Sequence, residues 1–214
     1  MSTALLEPLL QTDDLDLAEW FNHPVIDGRP LNRWTPAQFD LMCELGLFDD
    51  DEVELFRGVV IRQMTRNTLH DVTLHWVAQG LLPYIPPGWI VRYQAAVIAG
   101  QSVLEPDLAL VRGPHTLYLK RHPVAGDAGL IIEVSDSSLA RDRLKAAEYC
   151  RAGADEYWIV NLIQRQLEVF RQPDLESGRF LQQRILRGSE ILEVHLKGEF
   201  CARISPHDLL PLES

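Results

Sequence analysis

Two acidic residues and one lysine in the middle of the chain are the side chains best suited to metal chemistry. Asp107 lies in residues 104–111 and Glu133 in residues 129–135, each between apolar neighbours. A carboxylate in such a run loses hydration, which a cation, hydrogen bonds or protonation must compensate. Lys145 follows Glu133 closely along the chain. Together these three residues predict a metal site.

The side chains of this predicted site match what hydrolysis of a phosphodiester requires. The reaction needs oxygen ligands for a hard cation, a nucleophilic water and positive charge beside the phosphorus. Asp107 and Glu133 can supply carboxylate oxygens, and the backbone carbonyl of Val134 can complete the ligand set. Lys145 can orient the attacking water or balance charge. Glu54, an acid among apolar residues in an earlier run, is a candidate fourth acid.

Each of these acids also has a structural explanation. Asp107 and Glu133 are compatible with a buried ion pair to Lys145 or to an arginine, because acids are seldom buried without a partner. Glu54 is compatible with a salt bridge at the edge of a strand. The residue types leave both explanations open.

The lysine is predicted to lie on a helix that follows the strand of Glu133. Residues 135–138, Ser-Asp-Ser-Ser, can cap a helix that ends at Gly153. Arg141, Lys145 and Tyr149 are four residues apart and so share one face of this helix. Tyr149 is therefore a candidate accessory residue of the site, although packing alone also explains it.

The two acids are predicted to lie on neighbouring strands. The uninterrupted apolar run 129–134 is typical of a strand covered on both faces, and the run 155–163 is predicted to return beside it. Residues 89–99 and 104–111 are each predicted as one strand, the second holding Asp107. Neighbouring strands lie about 4.8 Å apart, so carboxylates on two of them can reach one ion.

The first half of the chain supplies supporting elements. Thr35 predicts the cap of a short amphipathic helix. Residues 53–64 predict a hairpin that turns at Arg57-Gly58 and carries Glu54. A longer helix follows up to about residue 83, with His70 in its first turn as a second candidate accessory residue, although helix capping also explains it.

The composition predicts a soluble globular protein with one main domain. The 214 residues, 46% hydrophobic and 24% charged, suffice for one full core. Residues 1–30 are acidic and turn-rich and predict a loosely ordered arm before a domain of residues 31–214. The three cysteines form no zinc-knuckle or CxxC pair, and neither a signal peptide nor a membrane span is predicted. We therefore expect a cytoplasmic protein.

The net charge of −11 counts against a simple nucleic-acid binder, because such affinity comes mainly from Lys and Arg that displace counterions. A nuclease can still be acidic overall, since its own acids hold the metal. Two local basic clusters are available for phosphate contacts. They are Arg141, Arg143, Lys145 and Arg151, and Arg112, Lys120, Arg121 and His122.

Several of these residues together resemble a known family. In order they are Glu54 and Gly58 in a hairpin, His70, Pro106-Asp107, Glu133-Val134-Ser135, Asp142, Lys145, Tyr149, Gly153 and residues 156–160, Glu-Tyr-Trp-Ile-Val. Over residues 33–200 this pattern is similar to the Uma2 family of restriction endonuclease-like proteins, within the PD-(D/E)xK nuclease superfamily. The resemblance implies a restriction-endonuclease-like α/β fold, with a mixed sheet flanked by helices and additional C-terminal antiparallel strands.

The resemblance also implies an endonuclease that depends on Mg²⁺ or Mn²⁺ and cleaves DNA, and a homodimer in which paired sites cut both strands. The implied catalytic residues are Asp107, Glu133, Lys145 and Glu54. Two positions depart from the pattern. Ser135 stands where the superfamily usually has its lysine, and Asn161 stands where the family often has an aspartate. Asn161 is expected to end its strand.

Two other functions fit part of the pattern. An interaction protein that keeps the fold without catalysis is favoured by the net charge and by Ser135 at the usual lysine position. It predicts no binding of Mn²⁺. A metal hydrolase that acts on a smaller phosphoester predicts metal binding without affinity for DNA.

Overall fold

The computed structural model describes residues 25–49, 51–63 and 66–211 of the chain. The helices in these residues are α1 (Pro36–Glu44), α2 (Thr68–Leu81), α3 (Leu139–Arg151) and α4 (Pro206–Leu209). The strands are β1 (Val25–Ile26), β2 (Arg29–Pro30), β3 (Val53–Phe56), β4 (Val59–Arg62), β5 (Trp89–Tyr93), β6 (Val97–Ala99), β7 (Ser102–Leu104), β8 (Leu108–Arg112), β9 (Ala128–Ser135), β10 (Glu156–Asn161), β11 (Gln166–Asp174), β12 (Arg179–Arg187), β13 (Leu192–Leu196) and β14 (Glu199–Ile204).

A six-stranded sheet in the order β12-β11-β10-β9-β8-β5 forms the centre of the fold. β9 and β10 run parallel, and the other neighbours are antiparallel. Helix α3 connects the two parallel strands, which gives the predicted β-α-β unit. Every residue of β9 is buried, as its uninterrupted apolar sequence predicts for a strand covered on both faces.

Two apolar cores lie on the two faces of this sheet. One face packs against α2, α4 and the hairpin β13–β14, through residues such as Val77 and Leu192. The other face packs against α3 and a second sheet in the order β4-β3-β7-β6, through residues such as Phe56, Ile131 and Tyr149. The prediction of a mixed sheet flanked by helices, with additional antiparallel strands, is confirmed.

Local sequence signals fix several of these elements. Thr35 caps α1 and forms a capping box with Gln38. Asn67 caps α2, because its side-chain oxygen accepts a hydrogen bond from the His70 backbone N–H at 2.9 Å. Arg57 has a φ of 49° and the following glycine a φ of 78°, as a two-residue turn between β3 and β4 requires. The hairpin that carries Glu54 is therefore formed as predicted.

Two predicted strands are each divided in the structure. Residues 89–99 form β5 and β6, which belong to different sheets, because the chain bends at Gln94 with a φ of 44°. Asp107 lies in the link between β7 and β8 and not within a strand. Pro106 has no N–H to donate to a strand ladder, and the Asp107 carbonyl accepts instead from the Gln94 N–H at 3.1 Å. The prediction of one continuous strand is wrong at both places.

The predicted N-terminal arm lies mostly outside the described residues. Its last part forms a short hairpin in which Val25–Ile26 pairs with Arg29–Pro30. The division of the chain at residue 30 stays a prediction. No helix in the described part of the chain is long and apolar enough to cross a membrane.

Candidate active site

A cleft of about 60 Å³ opens where the β7–β8 link and the end of β9 meet α2 and α3. Most of the side chains around it are polar or charged, which is unusual for a surface so close to the core. They are Gln63, Arg66, Asn67, His70, Glu105, Asp107, Glu133, Val134, Asp136, Ser137, Ser138, Arg141, Asp142 and Lys145.

Three of the four side chains predicted as catalytic, Asp107, Glu133 and Lys145, line this cleft, and Glu54 is buried beside Lys145. Lys145 Nζ is 3.0 Å from Glu133 Oε1 and 3.1 Å from Glu54 Oε2. The backbone N–H of Asp107 donates to Glu133 Oε2 at 3.3 Å. None of the four is more than 6% exposed. The structure thus brings together residues from β3, the β7–β8 link, β9 and α3.

Asp107 is held by two other residues that the sequence singles out. His70 Nε2 lies 3.0 Å from Asp107 Oδ2, and the Val134 backbone N–H donates to the same oxygen at 2.8 Å. Burial alone would raise the pKa of Asp107, but the hydrogen bond and charge of His70 lower it below its usual value. Burial would lower the pKa of His70, and the hydrogen bond with Asp107 raises it instead. The contact therefore favours an imidazolium beside a carboxylate.

Glu133 lies in a more crowded environment. Burial raises the pKa of Glu133 to about 8, and the nearby Lys145 offsets this only in part. Burial would lower the pKa of Lys145, but Glu133 and Glu54 outweigh it and raise that pKa. The Tyr149 hydroxyl also donates to Glu133 Oε1, at 3.4 Å. The ion-free site therefore keeps its ammonium but holds more carboxyl groups than it can keep ionised.

This raised pKa predicts how pH affects the stability of the ion-free protein. A group whose pKa rises from 4.5 to about 8 on folding stabilises the fold fully below pH 4.5 and loses that contribution as pH approaches 8. Relative to a Glu133→Gln variant, the wild type should lose about 1.4 kcal/mol of unfolding free energy per pH unit in this window. Urea denaturation of both proteins in chelator at pH 5, 6, 7 and 8 measures the difference. Parallel pH profiles would contradict the assignment.

Two residues that line the cleft, Asp142 and Arg66, are not among the site residues predicted from the sequence. Asp142 is buried, its Oδ1 lies 4.0 Å from Lys145 Nζ, and its Oδ2 accepts from the Ser138 hydroxyl at 2.5 Å. Arg66 lines the cleft from the segment before α2. Asp142 and Lys145 are three residues apart on a helix, a spacing that indicates contact. Nothing in the local sequence marks Arg66.

The predicted basic cluster on α3 is not a continuous surface. Arg143 is paired with Glu168 at 2.8 Å, and Arg151 is paired with Glu148 at 3.1 Å. Besides the buried lysine, Arg141 is the member of this cluster that lines the cleft among the described residues. Its Nε lies 3.9 Å from Glu54 Oε1. The cluster therefore contributes Arg141, near the start of α3, and the buried Lys145 to the cleft.

The two positions that depart from the family pattern lie outside the cleft lining. Ser135 is the last residue of β9, and its buried hydroxyl makes no hydrogen bond within the described residues. Asn161 ends β10, as predicted, and its amide donates to Glu168 Oε1 at 2.9 Å. His75 is exposed on α2 and also lies outside the cleft lining.

The chemistry of the acids fits a divalent cation. Both carboxylate oxygens of Glu54 are buried and accept no hydrogen bond of good geometry among the described residues, and their neighbours are the Lys145 ammonium at 3.1 Å and Arg141 Nε at 3.9 Å. Asp107 and Glu133 add further carboxylate oxygens, the ligand type that Mg²⁺ and Mn²⁺ prefer. No group of three or more His, Cys, Asp or Glu side chains in the described residues is arranged to hold a metal ion as it stands. Lys145 lies between Glu54 and Glu133, where its ammonium provides the compensating positive charge.

Comparisons with known proteins identify a family and a shared fold. The model of the Uma2 family, described as "Putative restriction endonuclease", matches residues 36–202. No curated protein matches the sequence. Among solved structures, "a putative nuclease belonging to DUF820 from Anabaena variabilis ATCC 29413" is similar with a TM-score of 0.63 and 13% sequence identity. The match covers 82% of this chain and 96% of that chain, and it shows a shared fold.

Proposed function

This chain belongs to the Uma2 family, and on that basis we propose that it is an endodeoxyribonuclease that depends on Mg²⁺ or Mn²⁺. The observation that carries the proposal is the convergence of Asp107, Glu133 and Lys145 in one cleft, with Glu54 buried against Lys145. Four elements far apart in sequence supply these side chains, and burial of each charged group costs free energy that its partners must compensate. Three acids around one lysine suit phosphodiester hydrolysis.

Asp107 and Glu133 would hold the ion, with the Val134 carbonyl as a third ligand and Glu54 as a direct or water-mediated one. When bound, the ion supplies Lewis acidity to a phosphate oxygen and lowers the pKa of a water to near neutrality. His70 keeps Asp107 ionised, and together with the Val134 N–H it fixes the direction of the Asp107 carboxylate. Tyr149 orients Glu133 through its hydroxyl.

Lys145 would stabilise the charge that develops on the phosphate in the transition state. Its ammonium stays protonated, because Glu133 and Glu54 raise its pKa. Its position on α3 restricts the motion of its backbone, and its side chain is buried along its length. A fixed positive charge in a site shielded from water stabilises a phosphorane more than the same charge in bulk solvent does.

Arg141 and Arg66 are the cleft arginines that would bind phosphates beside the scissile one. Replacing Arg141 by glutamine should weaken DNA binding and reduce the slope of log K against log salt by about 1, as the loss of one phosphate contact does. Fluorescence anisotropy of a labelled oligonucleotide at several salt concentrations gives the slope. Arg179→Gln, at an exposed position at the start of β12, is the control and should leave the slope unchanged. Equal slopes for wild type and Arg141→Gln would argue against the contact.

The test of the proposed function is incubation of supercoiled plasmid with the protein and Mg²⁺ or Mn²⁺. Conversion to nicked or linear DNA supports it, and appearance of linear before nicked product supports paired sites in a homodimer. A calorimetric titration with Mn²⁺ separates the alternatives. An interaction protein that retains only the fold would bind no ion, whereas a hydrolase of small phosphoesters would bind the ion but not DNA.

A further inference from the structure

A second buried ion pair joins the same two elements as the contact between Glu54 and Lys145. Arg57 Nε lies 2.8 Å from Glu148 Oε1, and each side chain is about 10% exposed. Arg57 follows Glu54 by three residues, in the turn after β3, and Glu148 follows Lys145 by three residues on α3. We propose that the pair of Arg57 and Glu148 is a positioning device that sets Glu54 against Lys145. This inference rests on the proposed function of that site.

The order of the charged residues along the hairpin β3–β4 and along α3 favours one alignment of the hairpin against the helix. In the hairpin β3–β4 the acid Glu54 precedes the base Arg57, and on α3 the base precedes the acid, so both contacts join opposite charges. A shift of the hairpin in one direction would bring Glu54 to Glu148. A shift in the other direction would bring Arg57 to Lys145. Both shifts place like charges together in a buried setting, which is strongly unfavourable.

The conformation of the turn indicates that an arginine occupies position 57 because of the contact that its side chain makes. Arg57 has a φ of 49°, and a turn of this kind favours Asn, Asp or Gly at that position. A long side chain with positive φ is strained, and such strain persists where the surroundings compensate it. The compensation here is the ion pair with Glu148, since the Arg57 side chain is buried against it.

Ser102 joins the backbone of the turn to the same acid. The Arg57 backbone N–H donates to Ser102 Oγ at 2.9 Å. The Ser102 hydroxyl in turn donates to Glu148 Oε2 at 3.4 Å. Ser102 is fully buried at the start of β7. The turn is therefore held to α3 through both its backbone and its side chain. None of these three residues lines the cleft, so they act through Glu54 and Lys145.

The first test is cleavage by a Glu148→Gln variant, which keeps the shape of the side chain and removes its charge. A misplacement of about 1 Å in an active site lowers the rate about 10²-fold, so kcat should fall by about that factor, with KM within about twofold of the wild type. Arg143→Gln is the matched control, because Arg143 forms a buried ion pair from the same helix to β11 instead. The control should lose stability but keep kcat per folded molecule.

A second readout does not depend on cleavage. The chain has three lysines, Lys120, Lys145 and Lys197, so ¹⁵N-lysine NMR spectra of the full protein contain few side-chain signals. Lys145 is the buried one and should give a slowly exchanging ammonium signal. That signal should shift or disappear in Glu148→Gln and stay in place in Arg143→Gln. It should also be displaced in Arg57→Gln, and in Arg57→Lys it should lie closer to its wild-type position.

The outcomes separate this inference from the proposed function. If the wild type cleaves no DNA, the proposed function fails, and the lysine signal still decides whether the ion pair positions Lys145. An unchanged signal and an unchanged kcat in Glu148→Gln would overturn the inference. If that variant does not fold, Ser102→Ala removes only the bridging hydroxyl and should move the Lys145 signal in the same direction by a smaller amount.

Discussion

Replacing Asp107 by asparagine should lower kcat for DNA cleavage by about 10³-fold while the protein stays folded. Loss of a metal ligand removes several kcal/mol of transition-state stabilisation, and about 4 kcal/mol corresponds to about 10³-fold in rate. Asparagine keeps one oxygen, which can take the place of Asp107 Oδ2 and accept from both the Val134 N–H and His70 Nε2. The geometry is therefore preserved and the charge is lost. Affinity for Mn²⁺, measured by calorimetry, should fall together with kcat.

Glu156→Gln is the matched control for this variant. Glu156 is also a buried acid, 4% exposed, but it lies on β10 with Arg171 at 2.7 Å and outside the cleft lining. We expect its loss to change the unfolding free energy and to leave kcat per folded molecule and Mn²⁺ affinity near the wild-type values. An Asp107→Asn protein that cleaves as fast as the control would contradict the role of Asp107.

Replacing Lys145 by methionine should affect both catalysis and folding. Removal of one preorganised charge in a site shielded from water costs about 10²-fold to 10³-fold in kcat. Removal of one partner from a buried ion pair costs about 3–5 kcal/mol of stability, because Glu54 and Glu133 lose their counter-ion. Single-turnover cleavage and urea denaturation in chelator measure the two effects.

The two effects of this variant are separable. Mn²⁺ can replace the missing positive charge, so saturating Mn²⁺ should restore much of the stability of Lys145→Met and little of its kcat. Adding Glu54→Gln to Lys145→Met should also recover stability, since it removes one uncompensated acid. Lys197→Met is the control, because that lysine is partly exposed beside Asp155 and is not among the residues that line the cleft. Full activity in Lys145→Met would exclude the lysine from the reaction.

The grouping of the site residues was accessible from the sequence because each of them departs from its local pattern. Glu54 and Glu133 interrupt apolar strands, and such an interruption indicates a buried acid with a partner. The spacing on α3 placed Lys145 on the same face as Tyr149, and both contact Glu133 in the structure. Gly153 marked the end of α3. These signals act over a few residues, where sequence periodicity is informative.

Contacts between distant segments were not accessible in the same way. The position of Asp107 in the link between β7 and β8 depends on Gln94, whose backbone N–H donates a hydrogen bond to the Asp107 carbonyl. Arg57 and Glu148 are 91 residues apart in sequence, and no periodic pattern connects them. The basic residues around Arg143 are close together in sequence, but Arg143 itself forms an ion pair with Glu168 on β11 and does not face the cleft with Arg141. In each case a tertiary contact overrides what the local sequence indicates.

The most direct measurement is cleavage of supercoiled plasmid by the wild type and by Asp107→Asn, side by side, with Mn²⁺ and with chelator. The account predicts conversion to nicked or linear DNA by the wild type with Mn²⁺, no conversion with chelator, and about 10³-fold slower conversion by the variant. Equal rates for the two proteins, or conversion that persists in chelator, would contradict the assignment of this cleft as a metal-dependent nuclease site.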